Sequence, residues 1–184
     1  MPAPTVLVPL ADGFEEIEAI TVIDILRRAG VEVTAAGVDG RTVHASRGVT
    51  VEADALLDEV ADRDYDLVVL PGGAGGAKRL TEDARVQALI RRQHEAGRSL
   101  GAICAAPMAL VAAGVLGGRR ATSFPGFLQP GDAELSEEPV VHDRGVTTSR
   151  GPGTAMPFAL ALVEQLCGAD KRDEVESRLQ IPAA

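Results

Sequence analysis

The chain has few aromatic residues, few cysteines and fewer basic than acidic side chains. Its 184 residues include 4 Phe, 1 Tyr and no Trp, so the core must be aliphatic, and a hydrophobic content of 46% supplies it. Two cysteines cannot form the disulfide framework of a small secreted domain. A net charge of −9 argues against nucleic acid and anionic membranes as partners. We therefore expect a single domain over residues 1–184.

Targeting and membrane segments are not expected. The N-terminal MPAPTVLVPL has no basic region, and its apolar run is too short for a signal peptide. Residues 100–118 carry no charge and are long enough to span a membrane. However, this stretch is rich in Ala and Gly and contains Pro107, so we interpret it as a buried strand followed by a buried helix. A cytoplasmic protein without a membrane partner is expected.

Strand-like and helix-like segments alternate along the chain. The predicted strands cover residues 5–10, 31–36, 66–70 and 99–103, with two short strands within 42–51 and a hairpin at 140–148. The predicted helices cover residues 15–29, 81–95, 105–115, 156–166 and 170–179. This alternation predicts an α/β fold, in which helices cover both faces of a mostly parallel sheet.

The first predicted helix is apolar around most of its circumference. The residues responsible are Ile17, Ile20, Val22, Ile23, Ile25 and Leu26. A helix of this kind is buried on all sides. It is either a central core helix or a helix that covers the sheet with one face and a partner subunit with the other. An oligomer is expected.

Three predicted strand ends are rich in glycine or carry a reactive group. They are the segments 11–13 and 71–76 and Cys104, and in a parallel sheet they can converge on one crevice. The glycine segment PGGAGGAK matches neither a P-loop nor a dinucleotide fingerprint. It is either a flexible turn that needs positive φ or a set of bare N–H groups that stabilise a small anion.

Cys104 follows a strand and precedes a helix, as does the residue at a nucleophile elbow. Unpaired N–H groups and the helix dipole would lower its pKa there, whereas a cysteine in an apolar run is often inert packing. Cys167 is interpreted as structural. The acidic residues at 15–18 complement a helix N-terminus, although a desolvated carboxyl near a thiolate can also hold a proton for it.

No histidine completes an evident catalytic dyad. His44, His94 and His142 are expected at the surface and lack the spacing of metal ligands. The two cysteines do not form a C-x-x-C pair. We therefore expect neither a metal site nor a cofactor.

Several motifs occur in order along residues 5–181. They are LADGFEEIEAI, RRAG, SRGV, VVLPGGAGGA, AICAAP and TSRGPGTAMPFALALVE. In this combination the chain resembles the ThiJ/PfpI superfamily, and most of all the branch that holds the parkinsonism-associated protein deglycase and the bacterial YajL-type proteins. The resemblance implies a flavodoxin-like three-layer sandwich and a homodimer formed through the first helix.

The resemblance also implies roles for individual residues. Cys104 would be the reactive cysteine and Glu18 the protonated partner of its sulfur. The backbone donors of the oxyanion site would be Gly72, Gly73 and Ala105, and the basic residues beside the pocket would be Arg28 and Arg47. Implied substrates are methylglyoxal and glyoxal, free or as early adducts on proteins, with lactate or glycolate as products. The activity would be that of a deglycase or glyoxalase in carbonyl and oxidative stress protection.

Two positions depart from relatives that carry a histidine near the nucleophile. Ala105 directly follows Cys104, where protease-like relatives have histidine, and Phe124 stands where the human branch has histidine. With nothing evident to activate the nucleophile or protonate an amine leaving group, peptide hydrolysis is not expected. An alternative role is a redox-responsive chaperone or sensor, in which peroxide oxidises Cys104 without substrate turnover.

Overall fold

A computed structural model describes residues 2–181 of the chain. The ends of the predicted domain, Met1 and residues 182–184, lie outside the described residues. The strands are β1 (Thr5–Leu10), β2 (Glu32–Gly37), β3 (Thr42–His44), β4 (Thr50–Glu52), β5 (Ala55–Leu56), β6 (Leu67–Leu70), β7 (Ser99–Ile103), β8 (Arg120–Ala121), β9 (Glu134–Leu135), β10 (Val140–Asp143) and β11 (Val146–Ser149). The helices are α1 (Glu16–Arg28), α2 (Leu57–Val60), α3 (Ala74–Glu82), α4 (Ala84–Glu95), α5 (Pro107–Ala112), α6 (Ala155–Cys167) and α7 (Ala169–Leu179).

A seven-stranded sheet forms the centre of the fold in the described residues. Its strand order is β10-β11-β7-β6-β1-β2-β5, and only β10 is antiparallel to its neighbour. The sheet grows from β1 in both directions, to β2 on one side and to β6 on the other. The order therefore reverses beside β1, where open α/β sheets leave a crevice at the carboxyl ends of the strands.

Two groups of helices flank the sheet. Helix α6 packs against both α1 and α7, whereas α3, α4 and α5 pack against one another. The central strands are apolar on both sides, and all four residues of β6 are buried, as expected for parallel strands that are covered on both faces. The predicted α/β class with a mostly parallel sheet and helices on both faces is confirmed.

The helix predicted at residues 81–95 is wrong at its N-terminal end. The chain instead forms α3 and α4, which are separated at Asp83. Asp83 has extended backbone angles, and its side chain accepts hydrogen bonds from the N–H groups of Arg85 and Val86 at 2.9 and 3.3 Å. Asp83 is therefore an N-cap that ends one helix and begins the next.

The helix predicted at residues 105–115 is also corrected. Helix α5 begins only at Pro107 and ends at Ala112, because Cys104 has a positive φ and residues 104–106 form turns. The small pair β8–β9 and the short helix α2 were not predicted; each has too few residues for a periodic pattern. The uncharged stretch 100–118 does form a strand and a helix within the fold. No helix among residues 2–181 has the length and hydropathy needed to cross a membrane.

Candidate functional site

Three segments meet at the carboxyl ends of β1, β6 and β7, which are neighbouring strands. The segment after β1 leads into α1, which carries Glu18; the segment after β6 holds Gly72 and Gly73; and the segment after β7 holds Cys104. The convergence predicted from the parallel sheet is therefore observed, and it places a thiol, a carboxyl and two glycine backbones together.

Cys104 lies at a strained turn. Its φ is +64°, which is uncommon for a residue with a side chain, and its surroundings must hold it there. The Cys104 N–H donates to the carbonyl of Ser149 at 2.9 Å, and the Cys104 carbonyl accepts from the N–H of Phe124, also at 2.9 Å. These two bonds fix the turn from both sides. Cys104 is 9% exposed, so little of the residue contacts solvent.

Glu18 is a charged residue type with 0% exposure. Its Oε2 accepts the N–H of Gly72 at 2.8 Å. Its Oε1 has no nitrogen or oxygen partner among the described residues, and the carboxyl interacts with the Cys104 thiol. A buried carboxyl with one free oxygen beside a sulfur is unusual, since buried polar groups are normally paired.

The glycines at this site are required for space as well as for flexibility. A Cβ on Gly72 would lie 2.5 Å from the Cβ of Cys104 and would overlap Glu18 Oε2. Gly73 has a φ of +83°, and a Cβ there would lie 2.6 Å from the backbone nitrogen of Glu15. Close approach to the cysteine and the carboxyl therefore explains Gly72, whereas positive φ and close approach to the backbone before α1 explain Gly73.

The backbone donors are divided between the two acidic groups. The N–H groups of Gly73 and Ala105 are directed at the Cys104 sulfur, where they favour the thiolate. The N–H of Gly72 is already bonded to Glu18. Of the three backbone donors predicted for an oxyanion site, two therefore face the sulfur and the third holds the carboxyl.

The expected lowering of the Cys104 pKa is not what this chain shows. Burial raises the pKa of the Cys104 thiol to about 12, and the negative charge of Glu18 adds to the effect, whereas the Gly73 and Ala105 N–H groups oppose it. Burial likewise raises the pKa of Glu18 to about 7. Helix α5 is short and begins three residues after Cys104, so its dipole offers the sulfur little.

The thiol and the carboxyl titrate as a pair because each disfavours a charge on the other. The first proton leaves the pair near pH 7 and the second near pH 12. Between these values Cys104 and Glu18 hold one negative charge and one proton. Because the carboxyl is the stronger acid, the charge lies mainly on Glu18 and the proton on Cys104. The carboxylate can take the thiol proton as the sulfur attacks and pass it to a reacting oxygen.

The two predicted anion-binding arginines, Arg28 and Arg47, lie at different distances from the cysteine site. Arg28 is ten residues after Glu18 on α1, about 15 Å along the helix, and its Nε bonds Asp24 at 2.7 Å. Within one chain the length of α1 separates Arg28 from Cys104, so its anion-binding role stays a prediction. Arg47 lies on the exposed turn between β3 and β4, and its N–H donates to Glu16 Oε1 at 3.0 Å. It lies beside the N-terminus of α1, with its guanidinium at the surface.

Sequence reasoning missed the role of the β3–β4 turn. The Ser46 hydroxyl lies 2.9 Å from Glu15 Oε2 and 3.1 Å from Glu16 Oε2. The Ser46 N–H donates to the carbonyl of Phe14 at 2.8 Å. The turn is thus tied to the first residues of α1, the helix that positions Glu18. The SRGV motif was the available signal, but its contacts are long-range.

Phe124, which stands where some relatives have histidine, lies beside the cysteine. Its N–H bonds the Cys104 carbonyl, and its ring contacts Phe127 edge to face with centroids 6.2 Å apart. A Cβ on Gly151 would lie 3.3 Å from the Phe124 ring, so the ring also covers that backbone. The ring cannot exchange a proton with the sulfur. Cys167, at the end of α6, is partly buried and does not contribute to the site.

A cysteine on a strained turn above a parallel sheet, with a buried carboxyl beside its sulfur, defines a class of open α/β proteins. The chain belongs to one family of this kind, the DJ-1/PfpI family, whose model matches residues 4–165. No three His, Cys, Asp or Glu side chains within residues 2–181 are grouped to hold a metal ion.

Individual relatives agree with this assignment. The chain is 44% identical over 179 residues to protein dj-1beta of Drosophila melanogaster, covering 95% of this chain and 96% of that protein. The crystal structure of Drosophila DJ-1beta matches with a TM-score of 0.95 at 42% identity, covering 99% of this chain and 100% of that one. The chain is 36% identical over 173 residues to the glutathione-independent glyoxalase DJR-1.2 of Caenorhabditis elegans, covering 92% and 91%.

Not every relative has the same length. Protein DJ-1 homolog B of Arabidopsis thaliana is 43% identical over 171 residues, which are 91% of this chain but 39% of the plant protein. The chain therefore spans well under half of that relative.

Proposed function

We propose that the protein is a cofactor-independent cysteine enzyme that converts small dicarbonyls, methylglyoxal and glyoxal, into lactate and glycolate. The observation that carries the proposal is the buried Glu18 carboxyl, with one oxygen free, beside the Cys104 sulfur. The glyoxalase name of the Caenorhabditis elegans relative supports the same chemistry.

The reaction begins with the shared proton of the pair. The Cys104 sulfur adds to the aldehyde carbon, and the carbonyl electron pair moves to oxygen, which takes that proton. The result is a hemithioacetal beside the Glu18 carboxylate. The N–H groups of Gly73 and Ala105, which face the sulfur, stabilise the negative charge as it develops on the neighbouring oxygen.

Glu18 then moves one proton between two carbons. Its carboxylate takes the hydrogen from the carbon bonded to sulfur and returns it to the adjacent carbonyl carbon, by way of an enediol. This leaves a thioester and a new hydroxyl group, without an external oxidant or reductant. Water supplies a hydroxyl to the acyl carbon and a proton to the pair, so the 2-hydroxy acid leaves and the pair is restored.

The test is methylglyoxal consumption and lactate formation in an amine-free buffer. Wild type, Cys104→Ser, Glu18→Gln and the matched control Cys167→Ser are compared. We expect catalytic lactate formation in the wild type and in Cys167→Ser and its loss in the other two variants. Stoichiometric consumption only, or equal rates in all four proteins, would overturn the proposal. A glycated protein as a parallel substrate tests deglycase activity.

A second candidate function rests on the same free Glu18 oxygen. Peroxide would oxidise the Cys104 thiolate to sulfenic acid and a second peroxide would produce sulfinic acid, with one water released at each step. Below pH 7 the protonated carboxyl can donate to a sulfinate oxygen. The expected signature is oxidation that stops at sulfinic acid in the wild type but proceeds further in Glu18→Gln, measured by mass spectrometry, together with a changed ability to prevent client aggregation.

We also propose a homodimer formed through α1 in the cytoplasm. Ile17 and Ile20 are 54% and 42% exposed and lie on one face of α1 at a spacing of three residues. Met156, on the adjacent helix α6, is exposed as well. Such apolar side chains on neighbouring helices are typical of a covered surface. An anion-binding role for Arg28 would then require the α1 of a second subunit.

A further inference from the structure

A cavity is lined in part by Ser123 and Pro125, the chain neighbours of Phe124, whose N–H bonds the carbonyl of Cys104. Its volume is about 310 Å³. The polar residues that line it are Thr122, Ser123, Ser136, Glu137 and Arg150, and the others are Ala121, Pro125, Gly126, Leu128 and Leu135. Cys104 itself does not line it. The cavity therefore differs from the cysteine site and combines hydroxyl groups and a guanidinium with an apolar wall.

The Thr122 hydroxyl has no hydrogen-bond partner among the described residues, although Thr122 is only 2% exposed. Its N–H is satisfied by the Thr148 hydroxyl at 2.9 Å. A buried hydroxyl left unpaired costs free energy, and buried groups of this kind are normally satisfied. Because Thr122 lines the cavity, a rotation of its side chain can offer this donor to a molecule that enters.

Arg150 brings a positive charge to the same cavity. Its Nη1 donates to the carbonyl of Glu137 at 3.0 Å, and it forms no ion pair within residues 2–181. By contrast, Arg120 on β8 is paired with Glu138 at 2.7 Å. Nη1 is engaged, and the remaining guanidinium donors can bind an anion. The Ser136 hydroxyl oxygen accepts the Glu138 N–H at 3.2 Å, so its proton is also available.

We propose that this cavity binds a small monocarboxylate with a short apolar tail. The carboxylate would take hydrogen bonds from Arg150 and Thr122, and the tail would pack on Leu128 and Leu135. One guanidinium balances one negative charge. The Glu137 carboxylate in the same lining opposes any anion, and it opposes a doubly charged phosphate more strongly than a monocarboxylate, because like charges repel at short range. The proposal does not depend on turnover at Cys104.

Occupancy of the cavity is expected to affect the cysteine. The carbonyl of Cys104 is held by the N–H of Phe124, which lies between Ser123 and Pro125 in the cavity wall. The N–H of Cys104 is held by the carbonyl of Ser149, the residue before Arg150. Both backbone bonds that maintain the strained turn are thus made by immediate chain neighbours of lining residues.

The test uses isobutyrate and its uncharged isostere isobutyramide, with lactate and inorganic phosphate as further probes. Binding to the full chain is followed by calorimetry and by the amide NMR shifts of Thr122 and Arg150. We expect isobutyrate to bind at least about tenfold more tightly than isobutyramide, the difference expected for a charge-assisted hydrogen bond. Bound isobutyrate should also change the rate of Cys104 alkylation.

Variants separate binding from folding. Arg150→Gln should abolish the preference for the acid over the amide, whereas the matched control Arg120→Gln should keep it. Thr122→Val should weaken isobutyrate binding about fivefold, as for one lost hydrogen bond, without lowering the melting temperature. Equal affinity for acid and amide, unchanged binding in Arg150→Gln, or phosphate as the only ligand would overturn the proposal.

Discussion

Replacement of Glu18 by glutamine should change how the stability of the protein depends on pH. The variant keeps an oxygen that can accept the Gly72 N–H but loses the titrating group. In the folded protein the pKa of Glu18 is raised from 4.5 to about 7 because the carboxyl is buried. Between these values the folded state binds a proton that the unfolded state has released. The stability that protonated Glu18 contributes is therefore complete below pH 4.5 and is lost as the pH rises through 7.

The magnitude follows from the two pKa values. At about 1.4 kcal/mol per pH unit, the interval from 4.5 to about 7 corresponds to about 3 kcal/mol. The full value applies because Glu18 is completely buried. Between pH 4.5 and 7.5 the wild type should lose about 3 kcal/mol more free energy of unfolding than Glu18→Gln does. The titration of the other carboxylates cancels in this difference.

Urea unfolding of both proteins at several pH values between 4.5 and 7.5 measures the effect. Glu137→Gln, a variant at an exposed glutamate, controls for the loss of one negative charge. Stability curves of wild type and Glu18→Gln that run parallel over this range would refute the reasoning. A second readout is the rate of Cys104 alkylation, which should stop rising with pH near pH 7 in the wild type, where Glu18 becomes charged and disfavours the thiolate, and should keep rising in Glu18→Gln.

Three further predictions test the surroundings of the site. Gly72→Ala should reduce the free energy of unfolding by about 1–3 kcal/mol through overpacking. The control Gly117→Ala, at a position where a Cβ meets nothing within 4 Å, should be near neutral. Equal chemical denaturation curves for the two variants would contradict the close approach of Gly72 to Cys104 and Glu18. Ile17→Glu should convert a dimer to a monomer in sedimentation analysis, whereas Leu135→Glu, at an exposed position on β9, should not. An unchanged mass for both variants would exclude α1 as the interface. The pKa of Asp83 is lowered to about 2 by its bonds to Arg85, so the wild type loses the stability contributed by this carboxylate as the pH falls through about 2. Asp83→Asn should lack this loss. Thermal melts between pH 2 and 5 measure the difference, and an identical change of melting temperature with pH in both proteins would contradict it.

The sequence predicts the sheet well and the site less completely. Short apolar runs such as residues 66–70, bounded by turn residues, are local signals that predict strands. The alternation of these strands with helices then predicts a parallel sheet. Neither the break at Asp83 nor the late start of α5 follows from periodicity, because both depend on single backbone angles, at Asp83 and at Cys104. Local patterns mark these residues without giving their φ.

The remaining differences between the sequence-based predictions and the structure come from contacts between segments that are distant in the sequence. The resemblance implies a pairing of Glu18 with Cys104. The hydrogen bond from the Gly72 N–H to the Glu18 carboxyl is evident only in the folded chain, where three strand ends lie side by side. The raised pKa of the cysteine has the same origin, since burial and a neighbouring charge act only in the folded chain. Arg28 is close to Glu18 in the sequence, but the length of α1 places it far from Cys104 within one chain.

The low exposure of Cys104 restricts which molecules can reach it. With 9% of the residue exposed, a small molecule meets less steric hindrance there than a side chain on another folded protein does. The same burial protects the thiol from disulfide exchange with other proteins, because that exchange requires access to the sulfur. Under the proposed function, free dicarbonyls would therefore rank ahead of adducts attached to structured surfaces.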